Sequence, residues 1–212
     1  MLMFLATGLA MASSAVEPQA ARRDQLALDQ MRHYAPYRAA VQGAYQKYEE
    51  ALSGHCPSID LDQATARARV ELPLEVNEQG HIVNGIWTEQ TQGVACGETR
   101  RYTALVIFKD STPRVLPVFP GDSFASPVLQ HDALVSVVSA MTVKGARCVP
   151  EVLDTVLPQG VPATAGAPWN ETWTVRSCDE SYRVPIRFVP DATGTGFDID
   201  PKTITQLKTS AG

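Results

Sequence analysis

The chain has 212 residues, a formal charge of −5, 44% hydrophobic residues and 19% charged residues. This is a globular composition, long enough to bury a core in one large or two small domains, and it excludes disordered and fibrous classes. Acidic and basic residues are interspersed, so the clustered Lys/Arg stripe of a nucleic-acid binder is missing and nucleic acid is excluded as a partner.

Residues 1–15 read MLMFLATGLAMASSA, an uncharged apolar run ending in small residues, with Ala10-Met11-Ala12 and Ser13-Ser14-Ala15 as candidate cleavage sites. The pattern predicts a secretory signal peptide, shorter than the roughly 20 residues a membrane span needs. The mature chain is therefore expected to be periplasmic or secreted, with no transmembrane segment. Val16–Arg23 reads as a polar connector. Over Asp24–Ser53, Tyr37, Val41, Ala44, Tyr45, Tyr48 and Leu52 fall on one helical stripe, with Gly54 as the stop. Pro36 splits off an upstream helical piece around Gln25–Tyr34.

From Ala64 to Val76 the period changes to two: alanine, valine and leucine alternate with threonine, arginine, glutamate and Pro73, which predicts a half-buried strand. Asn77–Gly80 is turn chemistry, and Ile82–Val94 is the next strand. A hairpin looped at Gly97-Glu98 would set Trp87 opposite Phe108, Glu89 opposite Val106 and Gly93 opposite Tyr102. Arg114–Phe119 contains Pro117 and reads as an edge strand. Ser126 then Pro127 opens a second helix over Val128–Val143, followed by Gly145. Pro158–Pro168 is loop. A second hairpin looped at Asp179-Glu180 would pair Val175 with Val184, Trp173 with Ile186 and Glu171 with Phe188. Asp191–Gly196 is a turn before a last strand at Phe197–Ile199, and the tail from Lys202 is expected to fray.

One pattern occurs twice. Trp87, Glu89, Cys96 and Glu98 match Trp169, Glu171, Cys178 and Glu180 at identical offsets, and Gly54 with Cys56 is echoed by Gly145 with Cys148. The pattern predicts an internal duplication. The expected fold is α+β: two pseudo-symmetric repeats, each an amphipathic helix plus an antiparallel β-meander with an internal disulfide. The boundaries are 1–15 for the signal peptide, 24–120 and 121–201 for the repeats, and 202–212 for the polar tail. Export favours disulfides, and the duplication favours Cys56–Cys96 and Cys148–Cys178, each worth about 3–4 kcal/mol. No CxxC pair points to zinc, and His33, His55, His81 and His131 lack metal-ligand spacing, so no metal site is expected. No phosphate loop or dinucleotide fingerprint occurs, and no cofactor is expected.

Glu89 and Glu171 each share a strand face with a tryptophan two residues earlier. A carboxyl group held against aromatic surface loses solvation and becomes a stronger candidate general acid. Two such groups brought together would make a glycosidase-like pair, with Trp87 and Trp169 as sugar platforms. The competing reading makes each Glu a structural ion-pair or amide-capping residue. Glu98 and Glu180 read as solvated turn residues. Asn170-Glu171-Thr172 matches a glycosylation sequon.

Gly121-Asp122-Ser123-Phe124 resembles the Gly-Asp-Ser element of GDSL-type serine hydrolases, which would make Ser123 a nucleophile. The late histidine of that family has no counterpart, since the last histidine is His131. The tandem Trp-x-Glu and Cys pattern, with Val189-Pro190-Asp191 after it, resembles uncharacterised secreted bacterial proteins over residues 37–200. That resemblance implies export and disulfides and no known activity. The leading expectation is a non-catalytic exported protein, with Trp87, Glu89, Trp169 and Glu171 as binding residues and an unknown protein or envelope ligand as partner. The alternative is a periplasmic or secreted glycan hydrolase using Glu89 and Glu171.

Overall fold

The computed structural model describes residues 16–52, 56–164 and 166–208. The expected signal peptide at 1–15, Gly54 and His55, and the last four residues of the tail lie outside the described residues.

Two helices come first, α1 (Val16–His33) and α2 (Ala35–Ala51), separated at Tyr34 with Pro36 in the first turn of α2. The expected break at Pro36 is therefore present, but helix replaces the polar connector at 16–23. Those residues are alanine, arginine, glutamine and glutamate apart from Val16 and Pro18, so helix propensity suffices where amphipathicity gives no signal. Four strands follow in meander order: β1 (Ile59–Val76), β2 (Ile82–Ala95), β3 (Glu98–Lys109) and β4 (Thr112–Val118). After α3 (Pro127–Val143) comes a second antiparallel sheet, β5 (Glu151–Val156), β6 (Trp169–Ser177), β7 (Glu180–Asp191) and β8 (Gly194–Asp198). The fold class is α+β, with three α-helices and two antiparallel sheets among the described residues.

Both disulfides have the expected partners, Cys56–Cys96 and Cys148–Cys178, closing separations of 40 and 30 residues. The two cysteine hairpins, however, turn one residue earlier than expected, which shifts the pairing register by two. Their loops are Cys96-Gly97 and Cys178-Asp179, so Trp87 faces Val106, Glu89 faces Ala104, Trp173 faces Val184 and Glu171 faces Ile186. The first loop residue is left-handed in each, with φ of 50° at Cys96 and 53° at Cys178. Glycine is the usual occupant of that conformation, which is why the sequence directs attention to the wrong pair. A shift of two leaves every side chain on its expected face.

β1 departs further. It begins at Ile59 rather than Ala64 and changes register four times against β2, so strict alternation is lost. Leu72, expected inward, is 55% exposed, while Leu74 is 3% exposed. A Cβ at Gly85 would fall 2.4 Å from the Leu74 side chain, so glycine there makes room for it. β4 is the edge strand expected, with Pro113 and Pro117 in it. The tail does not fray at Lys202. A short 3-10 turn (Pro201–Thr203) buries Ile204, and β9 (Thr205–Gln206) pairs with β7.

The predicted α2 stripe is the one that packs. Tyr37, Val41 and Tyr45 join Ala27, Leu28 and Met31 of α1 over Trp87, Tyr102, Val106 and Phe108 of the first sheet, and Ala44 is buried as well. Beneath α3, Ala133, Val137 and Met141 meet Trp169, Trp173, Val184, Ile186 and Phe188. Burying a side chain of that size stabilises by about 1.5–3 kcal/mol, so these two clusters dominate the fold's energetics.

Candidate functional site

Trp87, Glu89, Trp169 and Glu171 all point inward, with exposures of 0, 2, 7 and 0%. Position two along β2 or β6 keeps each Trp-x-Glu pair on one face, and in both sheets that face is the one the helices cover.

Glu89 is met by Arg32, from the last turn of α1, whose Nε donates to Oε1 at 3.0 Å. The same guanidinium donates to Asp29 at 2.9 Å. Tyr45 donates to the Glu89 backbone carbonyl at 3.0 Å, and the Trp87 indole donates to the Tyr37 hydroxyl at 3.3 Å. Burial, the strongest influence, raises the Glu89 carboxyl above its ordinary value, and the opposing pull of Arg32 does not cancel it. On Arg32 burial acts downward, but its hydrogen bond and charge contact with Glu89 together leave it raised. Burial also raises the Tyr37 and Tyr45 hydroxyls, with the Glu89 charge adding to it.

Glu171 is held differently. Its Oε1 accepts from the Phe124 and Ala125 backbone amides at 2.9 and 3.1 Å and from the Trp169 indole at 3.0 Å. Its Oε2 accepts from the Trp173 indole at 2.8 Å, and Ser123 Oγ lies 2.8 Å from the same oxygen. Every group facing the carboxylate donates, as a buried acceptor requires. No cation is among these partners.

These partners include residues of the Gly-Asp-Ser stretch and those just after it. Gly121 has φ 98°, and a Cβ there would sit 2.1 Å from the Thr155 carbonyl. Asp122 pairs with Arg101 and donates its backbone amide to Thr155 O at 2.7 Å. Ser123 binds Glu171 and accepts from the Ala125 amide at 3.2 Å, and no histidine is among its partners. The stretch lies between the two sheets, and its Ser123 and Phe124, with Ala125 after them, supply the donors to Glu171 other than the two indoles.

A third buried carboxylate escapes the sequence reading. Glu49 of α2 is 0% exposed, accepts both oxygens' bonds from Arg100 at 2.8 Å and one from the Tyr102 hydroxyl at 2.8 Å. Its signal was its place on the apolar stripe four residues after Tyr45. Glu89 and Glu171 share no partner, and neither lines any of five cavities on the described surface. Glu98 and Glu180 are exposed, as expected of turn residues, and pair with Arg100 and Tyr182.

The largest of these five cavities, about 490 Å³, lies where the end of α1 overhangs the β1–β2 and β3–β4 turns. Ala27, Met31, Ile82 and Phe108 form its apolar floor; Gln30, His33, Tyr34, His81 and Ser111 supply hydrogen-bonding groups. No Asp, Glu, Lys or Arg lines it. Its residues come from three separate segments, each of which reads in sequence as an ordinary helix end or turn. Among the described residues no three His, Cys, Asp or Glu side chains are grouped to hold a metal, and no helix is long and apolar enough to cross a membrane.

No family model matches the chain, and no curated protein matches it. Among solved structures, a cystatin-like protein from Ruminococcus gnavus ATCC 29149 aligns over 84% of this chain and 77% of its own, at 7% identity and a TM-score of 0.25. Nothing about ligand or activity transfers at that level of likeness.

Proposed function

We propose that the protein is an exported, non-catalytic binding or envelope-associated protein, a duplicated and disulfide-braced scaffold that receives its ligand in the recess at the end of α1. The observation that carries this reading is the occupation of Glu89 and Glu171. Each is buried and committed to its own set of structural partners, whereas a glycosidase pair must flank a substrate and, as a rule, stand about 5–10 Å apart across it. Duplication is supported by the placement of each Trp-x-Glu pair on the second strand of its sheet, followed at once by a cysteine at the hairpin apex. Export is supported by the two disulfides, which persist in oxidising compartments, and by the apolar leader-like sequence.

The recess favours an amphipathic molecule of modest size. Phe108, Met31 and Ile82 offer an apolar floor to a ring or short alkyl group. Tyr34, Gln30, Ser111 and the two imidazoles offer a hydrogen-bonding rim without fixed charge. The test is chemical-shift mapping of the folded, oxidised protein against peptidoglycan fragments, short amphipathic peptides and aromatic carboxylic acids. Saturable shifts at residues 27–34, 81–82 and 108–111, weakened by Tyr34→Ala, are expected from one class. Saturable shifts confined to another surface would remove the recess as the site. Glycan cleavage by the wild type that disappears in both Glu89→Gln and Glu171→Gln would overturn the non-catalytic reading.

A further inference from the structure

A second cavity opens where the two sheets approach each other. β4 pairs with β3 only from Thr103 to Lys109, so the Glu98–Tyr102 end of β3 is unpaired with it, and β5 is the outer strand of the second sheet. A cavity of about 330 Å³ lies beside that end. Tyr48 from α2, Glu98, Arg100 and Arg101 from β3, and Arg176 and Ser181 from the second sheet line it. It shares no residue with the recess at the end of α1.

Each guanidinium in this lining is held by carboxylates and still meets water. Arg100 donates to both oxygens of Glu49 at 2.8 Å and to Glu98 at 3.1 Å. Arg101 donates to Asp154 at 2.8 and 2.9 Å and pairs with Asp122, and Arg176 donates to Glu151 at 2.7 Å. The three side chains are nonetheless 27, 27 and 26% exposed. Arg100 and Arg101 make these bonds with their terminal nitrogens, so their Nε–H groups have no partner among the described residues. No buried side-chain nitrogen or oxygen among those residues lacks a partner, so both Nε–H groups reach solvent. The Glu98 carboxylate, 72% exposed, is an open acceptor beside them.

Charge balance decides what such a lining suits. The three guanidiniums are matched by five carboxylates, Glu49, Glu98, Asp122, Glu151 and Asp154, so no surplus positive charge waits for an anion. An incoming cation would meet the three guanidiniums. A hydroxyl escapes both penalties, because it accepts from an Nε–H while donating to a carboxylate such as Glu98. Adjacent hydroxyls on one ring do this twice. Tyr48 is fixed by its bond to the Val152 carbonyl, and with Leu52 and Leu153 it gives the cavity an apolar side for the C–H face of a ring. We infer that this cavity binds a neutral saccharide of one or two rings between the two sheets. Its size lies within the range of small-ligand pockets, which form where separately folded walls meet. The carboxylates already hold the guanidiniums, so binding immobilises little. Sugar hydroxyls replace water that bonds almost as well, which places the affinity at about 1 mM.

Titration of the folded, oxidised protein with cellobiose, maltose and N,N′-diacetylchitobiose, each up to about 50 mM, tests this through arginine Nε–H and backbone amide shifts. At least one of them is expected to give saturable shifts at Arg100, Arg101, Arg176 and Ser181. Its affinity should change less than about twofold between about 20 and about 300 mM salt, because the ligand is uncharged. Glu98→Ala should weaken binding about three- to tenfold, the worth of one hydrogen bond. Ser181→Leu, which puts an alkyl group into the cavity, should weaken it about tenfold or more. Far-ultraviolet dichroism and melting check the fold of each variant, and the exposed Glu98 keeps the test decisive if Ser181→Leu does not fold. The absence of saturable shifts at these residues from all three sugars overturns the inference. So does inorganic phosphate binding there in place of sugar, or a sugar affinity that Glu98→Ala leaves unchanged. Sugar shifts confined to residues 27–34, 81–82 and 108–111 overturn it too, and leave the recess standing as the ligand site.

Discussion

Glu171 is surrounded by two indoles, two backbone amides and a hydroxyl, so glutamine is a poor substitute despite its shape. Its amide nitrogen must face groups that themselves donate, and at least one hydrogen bond becomes a repulsion. Glu171→Gln should lower stability by about 2–4 kcal/mol, the range for disrupting charged hydrogen bonds in a core. Urea titration followed by tryptophan fluorescence reads this directly, since Trp169 and Trp173 are two of the donors; a loss within experimental error would contradict the account. Glu89 makes a different prediction. Its carboxyl stands above 4.5 in the folded chain because burial outweighs Arg32, so the folded state takes up this proton at higher pH than the unfolded chain. The contribution is therefore unfavourable at neutral pH and is relieved as pH falls through the folded value, fully so once the unfolded carboxyl is also protonated. The stability of wild type relative to Glu89→Gln should rise on acidification from pH 7 toward 4.5. A flat difference across that interval would show the two states to titrate alike. The sequence announced both glutamates by their place beside a tryptophan, and it offered chemistry and structure as rival meanings. It could not choose, because the choice rests on Arg32 and Ser123, which stand 57 and 48 residues away.

The elements were more legible than their joints. Helical stripes, alternating strands and helix start signals are local: α2 and β2 lie where periodicity puts them, α3 where Ser126 and Pro127 open it, and β3, β6 and β7 where the cysteine hairpins require strands. The hairpin apices are not local in the same sense. A cysteine occupies the left-handed position because its partner across the bridge fixes it there, and glycine or aspartate beside it attracts the turn assignment instead. β1 misleads for a related reason: its register changes are imposed by pairing with β2, and alternation in its own sequence carries no trace of them. The recess at the end of α1 was invisible, because it exists only once three separate segments meet. The bridges themselves should be substantial. Replacing Cys148 and Cys178 together with serine frees a 30-residue loop and should cost about 3–4 kcal/mol on the chain-entropy account. Melting of the oxidised variant against wild type measures it, and an unchanged midpoint would mean the native contacts alone hold that hairpin. At the start of α3, Ser126 Oγ accepts from the Leu129 amide at 3.3 Å, so Ser126→Ala should remove about 1 kcal/mol in the same assay.

At the scale of the whole molecule the question is whether the two sheets unfold together, and the answer rests on a narrow polar seam. Tyr48 of α2 donates to the Val152 carbonyl of β5 at 2.5 Å, and Arg69 of β1 donates to the Ser123 carbonyl at 3.3 Å while lying 5.4 Å over the Phe124 ring. Arg101 of β3 makes the densest contact, gripping Asp154 of β5 at 2.8 and 2.9 Å and pairing with Asp122 as well. Removing that one guanidinium leaves two carboxylates side by side with their shared cation gone, and burial already raises Asp154 above its ordinary value. Each hydrophobic cluster, by contrast, is complete within its own sheet and helices, so neither core loses a side chain. Arg101→Ala should therefore lower stability only modestly, by about 1–2 kcal/mol for partly exposed charged bonds. Its larger effect should be on cooperativity. Scanning calorimetry of the wild type is expected to give a calorimetric enthalpy close to the van't Hoff value, and the variant a clear excess of the former as the sheets begin to melt apart. Equal ratios in both proteins would mean that the halves hold together without the arginine's help, through the Tyr48 and Arg69 contacts that remain.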